Sequence, residues 1–230
     1  MHRREFGLLA LFSCILGGCG GSPVSPSPVV ATNPGVLSPE LQYFEEIALG
    51  LEYGDAGSRV HKWTTNLRIQ IHGSPTAADN EAVAQVISEV NGLVGSKLLV
   101  LVESGSNVDL WFAPVSQFPT LQPNYVSGNL GFVWIDWSTS GSIEHAQVLI
   151  ASDRVTPEQR AHLIREELTQ ALGLLRDSDR YVESVFFEGW SESTHYAPID
   201  ETLIRMLYRP EVRAGMRRSE VLPVLTPLFG

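Results

Sequence analysis

Cysteine is nearly missing from this chain. Its 230 residues hold two, Cys14 and Cys19, and none follows residue 19. A domain built from the later residues therefore has no internal disulfide and no cysteine-based metal cluster, whatever its redox compartment. Positive charge is also in short supply: 16 lysines and arginines stand against 26 aspartates and glutamates, a formal charge of −10. A surface that acidic excludes nucleic acid and anionic headgroups as electrostatic partners. The apolar run that invites a membrane reading, FGLLALFSCIL at residues 6–16, is eleven residues long. A helix that spans a bilayer needs roughly 20. No internal repeat is visible.

What the N-terminus does contain is arranged as an export signal. His2, Arg3 and Arg4 precede the short apolar run, the layout of a signal peptide. Leu16, Gly17, Gly18 and Cys19 follow, and this pattern resembles the bacterial lipobox. The resemblance implies cleavage before Cys19, lipidation of its thiol and a membrane anchor there; an ordinary secretory signal with an incidental cysteine is the alternative. Cys14 follows Leu11-Phe12-Ser13, and bulky Phe12 fits a lipobox poorly. Gly20 and Gly21, in place of an aspartate, imply the outer membrane of a Gram-negative envelope, facing the periplasm. Loss of residues 1–18 leaves 14 basic against 25 acidic side chains. Residues 19–38 are uncharged and rich in Gly, Ser and Pro, the composition of a disordered tether. Residues 39–230 are one domain's worth of chain.

Within that domain, residues 39–52 place Leu41, Phe44, Ile47, Ala48 and Leu51 at helical spacing. NLRIQIHG, residues 66–73, alternates strictly, with Leu67, Ile69 and Ile71 opposite Arg68, Gln70 and His72. That is the signature of a half-buried strand. A second amphipathic helix aligns Val83, Val86, Ile87, Val90 and Leu93. Four strand-like segments follow without an intervening helix: KLLVLVE, VDLWFAP, LGFVWIDW and EHAQVLIAS. Further helices complete the chain, one capped at Thr156 with Pro157 in its first turn. Strands grouped in this way predict an α+β fold, with helices packed on a mixed, mostly antiparallel sheet.

The stretch REELTQALGLLRD, residues 165–177, carries the candidate site. At about 100° per residue, His162, Glu166, Gln170 and Gly173 share one narrow arc, and Ile164, Leu168, Ala171, Leu172 and Leu175 lie opposite. Glu167 borders the apolar side, where a carboxylate needs a partner. Three readings follow from the residues. The arc is a solvated face, or a metal site built from His162 and Glu166 with His195, or a metal-free pocket of hydrogen-bonding groups. Asp177 and Asp179 lack the glycine and terminal glutamate of a calcium loop and read as turn residues. His61, His72 and His145 are scattered singletons, and Ser191 and Ser193 have no G-x-S-x-G context.

The same stretch is similar to the helix of metzincin zinc peptidases, HExxHxxGxxH, in which imidazoles one turn apart hold the ion and a glutamate activates its water. Glu167 falls at the general-base glutamate and Gly173 at the glycine turn. Glu166, Gln170 and Arg176 fall at the three ligand positions. With SVFFEG and APIDETLIRMLYRPEVRAGM, the chain resembles an uncharacterised bacterial envelope family, a domain of unknown function, over about residues 60–220. The resemblance implies a metzincin-like fold whose metal site has degenerated, with no cofactor. Arg176 is then expected to turn towards Glu166 and Gln170 and supply the lost positive charge. The implied role is binding or scaffolding at the cell envelope, with an envelope protein or a peptide as partner. The alternative is an atypical metal-dependent hydrolase of peptide or cell-wall substrates, holding zinc and using Glu167 as general base.

Changing Cys19 to serine should release the protein from the membrane in soluble form, as followed by fractionation. A serine variant that stays membrane-bound would place the anchor elsewhere.

Overall fold

The computed structural model of the 230-residue chain describes residues 37–50, 59–189, 191 and 193–230. The expected signal peptide, Cys19 and residues 20–36 of the tether lie outside the described residues. No described helix is long and apolar enough to cross a membrane.

Local chemistry sets the helix ends. Helix α1 (Pro39–Leu49) begins where the Ser38 hydroxyl accepts the Leu41 N–H at 3.2 Å. Helix α2 (Ala77–Val94) opens on a capping box in which Thr76 and Asp79 exchange hydrogen bonds of 2.7 and 3.2 Å. It closes at Gly95, whose φ of 69° suits a residue without a Cβ. Helix α4 (Pro157–Gln170), preceded by the four-residue α3 (Phe118–Leu121), has its own box between Thr156 and Gln159. Helices α5 (Pro198–Leu207) and α6 (Arg218–Phe229) complete the set.

The sheet overturns the expected fold class. Its six strands are β1 (Lys62–Trp63), β2 (Leu67–Gly73), β3 (Leu99–Leu101), β4 (Val108–Ala113), β5 (Gly131–Trp137) and β6 (Ser142–Ala151). The pairs β1–β6, β2–β3, β2–β4 and β4–β6 are parallel, and β5–β6 is antiparallel. The protein is therefore α/β with a mostly parallel sheet, where a mostly antiparallel α+β arrangement was expected. Two physical reasons account for the difference. Strands β3 and β4 are separated by a short turn but form no hairpin: each lies parallel to β2, on opposite edges of it. Parallel strands, moreover, are usually buried on both faces and read as unbroken apolar runs. Here Leu67, Ile69, Val108, Leu110, Ala146, Val148 and Ile150 face the main core, while Arg68, Gln70, Asp109, Trp111, His145 and Gln147 are at least partly exposed on the other face. A parallel sheet covered on one side imitates the alternation of an antiparallel one.

That second face carries a small cluster, in which Phe118 of α3, Phe132 and Leu149 are buried and Tyr125 stands edge-on to both phenylalanine rings. On the first face, buried polar residues lock helices together. Asp79, 3 % exposed, pairs with Arg160 at 3.0 Å, tying the start of α2 to α4. Lys62 donates to the Leu207 and Val212 carbonyls at 2.8 and 2.9 Å, capping the end of α5, and its burial lowers its pKa to about 8.

After α4 the chain turns at Gly173, whose φ is 112°. A Cβ there would lie 1.9 Å from the His61 carbonyl oxygen. Replacing Gly173 with alanine combines a strained dihedral with a backbone collision, so it should cost roughly 2–4 kcal/mol in urea unfolding. A loss below about 1 kcal/mol would mean that this close approach is absent in solution.

Candidate functional site

Helix α4 is polar in sequence yet buried almost all round. His162, Arg165, Glu167, Thr169 and Gln170 are each less than 7 % exposed, so each needs a partner to offset lost hydration. Arg165 pairs with Glu89 of α2 and stacks its guanidinium 4.4 Å from the Tyr196 ring. Thr169 meets the Tyr196 hydroxyl at 2.7 Å. These contacts hold the helix at fixed rotation, and the arc of His162, Glu166 and Gln170 then borders a cavity of ≈ 380 Å³.

The cavity has three described walls. One is α4, with His162, Leu163, Glu166, Glu167 and Gln170; the second is residues 128–133, which lead into β5; the third includes Asp177, Phe187, Glu188 and Ser191. Strand β5 lies hard against the helix because residue 131 is glycine: a Cβ there would sit 2.4 Å from Glu167 Oε1. The third wall is anchored from behind by Asp200, which is fully buried. Its carboxylate accepts the Val185 and Ala197 N–H groups at 3.1 and 2.9 Å and the Ser184 hydroxyl, and Tyr43 donates to that hydroxyl at 2.9 Å.

Within the cavity the polar groups are engaged with one another. The His162 Nδ1 meets the Ser193 carbonyl at 2.8 Å, and its Nε2 meets Glu166 Oε2 at 3.2 Å. A carbonyl and a carboxylate both accept, so the doubly protonated imidazolium satisfies both at once. Burial would depress the His162 pKa, but Glu166 and the Ser193 carbonyl outweigh it and hold the pKa above the ordinary 6.5. The Gln170 amide donates to Asp177 Oδ1 at 2.7 Å. Among the described residues, no three His, Cys, Asp or Glu side chains converge as an ion would require.

The structure brings His162, Glu166, Glu167 and Gln170 to one cavity, and places Arg176 and His195 elsewhere. Arg176 is exposed, packs against Gly50 at the end of α1 and lines a separate depression with Glu45, Glu46 and Arg180. The expected replacement of a metal's charge by Arg176 is thus corrected. The Leu175 N–H bonds the Ile47 carbonyl at 3.1 Å, and the stretch after Gly173 sends Arg176 towards α1 and Asp177 towards Gln170. His195 is exposed, with Nδ1 3.2 Å from Thr194 Oγ1; it is the carbonyl of Ser193, two residues earlier, that reaches His162.

Asp177, Glu188 and Gly131 were missed by the sequence reading. Asp177 stands one position beyond the third ligand place of the motif, a signal that was available. Glu188 and Gly131 carry none. The singleton histidines also find neighbours. His72 and His145, from β2 and β6, both bond the Asp109 carboxylate of β4, at 3.0 and 3.2 Å, and His72 stacks on Trp111. Burial would raise the Asp109 pKa, but hydrogen bonds from His72, Ser106 and His145 hold it low. Among the described residues neither ring nitrogen of buried His61 has a hydrogen-bond partner, and the ring packs against Trp137; burial and nearby Arg59 depress its pKa.

An α/β domain with one helical layer and a partly enclosed polar cavity at the edge of its sheet is the class these features define. The chain belongs to the family described as "Protein of unknown function (DUF2927)", which matches residues 40–227. No curated protein matches it. The family description carries no activity and lends no support to a peptidase helix.

His162 gives the site a pH signature. Its pKa is raised on folding, so the stabilisation it brings is complete below about pH 6.5 and is lost as pH rises through the folded-state value. His162→Gln should destabilise by on the order of 1 kcal/mol more at about pH 5.5 than at about pH 9, measured by urea unfolding of both proteins. Equal losses at the two values would rule out an imidazolium held by Glu166.

Proposed function

We propose that this protein is an extracytoplasmic lipoprotein, anchored to the envelope at Cys19, whose polar cleft binds an extended polypeptide without cutting it. The observation that carries the reading is the open edge of β5. Ala151 donates to the Leu130 carbonyl at 2.9 Å, opposite the start of β5. That sets the phase of the antiparallel ladder. Phe132 and Trp134 bond β6, and the N–H and C=O groups of Gly131, Val133 and Ile135 point away from it. No described strand pairs with that edge, and Gly131 and Val133 line the cavity. An added strand finds main-chain partners there and a pocket for its side chains beside them, the two ingredients of β-augmentation. The lipid anchor draws on the apolar run and Leu16-Gly17-Gly18-Cys19.

The rival, a metal-dependent hydrolase with Glu167 as base, draws on the place of Glu167 in the same cavity. The binding reading is favoured because His162, Glu166 and Gln170 are engaged with Ser193, with each other and with Asp177.

Val133→Pro tests the reading. It deletes a donor that the β6 ladder does not use, so the fold should tolerate it. Affinity for fluorescein-labelled extended peptides should fall about tenfold or more, with the melting temperature nearly unchanged. Undiminished binding would move the site off β5. Cleavage of a bound peptide, abolished by Glu167→Gln, would favour the hydrolase.

A further inference from the structure

The charge lining the cleft narrows the class of peptide. Glu166 and Glu167 of α4, Asp177 and Glu188 all face one volume of ≈ 380 Å³, and the described lining residues include no lysine or arginine. The one group there able to carry positive charge is His162, already held between Glu166 and Ser193. With no described basic side chain on its walls apart from His162, the cavity carries a negative potential that attracts an entering cation. Glu166 keeps 16 % of its side chain exposed beyond its contact with His162, and Glu188 is exposed. Both remain within reach of a ligand.

The open strand edge is an independent feature, and it fixes the direction from which the cation arrives. Successive side chains of a strand alternate between faces. A strand added to β5 opposite Val133 projects every second side chain to the side on which Val133 packs, the side of α4. Its main chain and the carboxylates of the cavity are thus addressed by one molecule.

We infer that the ligand is an extended peptide presenting a lysine or arginine side chain into this cavity, with its cationic end between Glu166 and Glu188. The inference rests on the strand-addition reading above. A long basic side chain suits the site because its apolar stem passes Leu163 and Phe187, both lining the cavity, before its charge meets the carboxylates.

The test uses the full chain in detergent and three labelled probes, Thr-Thr-X-Thr-Thr with blocked ends and X as Lys, Gln or Glu, followed by fluorescence anisotropy at about 0.15 M salt. The lysine peptide should bind about tenfold or more tightly than the glutamine peptide, and the glutamate peptide more weakly still. Glu166→Gln with Glu188→Gln should bring the lysine and glutamine affinities together while the glutamine peptide still binds. Glu188→Gln alone, a change at an exposed side chain with no bearing on His162, should reduce the preference about threefold or more. Glu144→Gln, an exposed carboxylate on β6, should leave it intact. Equal binding of the three probes would overturn the inference and leave strand addition standing. Binding of none of them would remove both. A lysine preference that survives the double substitution, or that Glu144→Gln also lowers, would reduce it to the general acidity of the protein and overturn it. Stoichiometric zinc or calcium binding that Glu166→Gln abolishes, and that excludes the lysine peptide, would put an ion in place of the side chain and overturn it too.

Discussion

Burying a polar helix is the constraint on which the rest of this structure depends. Helix α4 carries His162, Arg165, Glu167, Thr169 and Gln170 at low exposure, and an unpaired polar group in such a place costs on the order of 1–3 kcal/mol. The fold answers with partners drawn from distant segments. Glu89 comes from α2, Tyr196 and Ser193 from the approach to α5, and Asp177 from the turn beyond Gly173. Each partner fixes the position of its own segment, so the walls of the cavity follow from satisfying the helix. Arg160 Nε and Arg165 Nε are the exceptions on this helix, buried without an acceptor among the described residues.

The sheet imposes the second constraint. All the larger helices sit on one face; the other is covered in part by the small cluster around Phe118, and the far edge of β5 meets no described strand. β5 runs antiparallel to β6 and has no described strand on its far side. Gly131 lets this strand approach α4 closely enough for Glu167 to lie against its backbone. An open edge beside a helix of satisfied but charged groups is a place where a polypeptide can dock and where a long basic side chain has somewhere to go. The other face brings His72, Asp109 and His145 into contact across three strands.

Much of the site was legible before the fold was known. His162, Glu166 and Gln170 were grouped by helical spacing alone, because residues four apart share a face whatever surrounds the helix. Gly173 falls at the glycine turn of the motif, and the chain does turn there. Arg176 and His195 lie away from the cavity. Arg176 was positioned by analogy with a ligand set, and His195 as a companion to His162 and Glu166 in a metal site. The course of the chain beyond α4 is instead decided by contacts that neither a motif nor residue type encodes. The Leu175 to Ile47 hydrogen bond is one of them. Asp177 was dismissed as a turn residue, although it lies one place beyond Arg176.

The sequence by itself determined the short-range features: the caps at Ser38, Thr76 and Thr156, the alternation in β2, the amphipathic face of α2 and the helical phase of α4. These depend on steric and hydrogen-bonding preferences within four or five residues, which travel with the chain. Tertiary structure alone decided that β3 and β4 flank β2 in parallel, that α4 is buried on its polar side, and that Asp177, Glu188 and Gly131 meet around one cavity. Strand pairing and burial depend on which distant segments come together, and an alternating strand has the same pattern whether its neighbour runs with it or against it. The physical cause of the misread sheet is that single degeneracy: alternation reports a solvent-facing side and says nothing of direction.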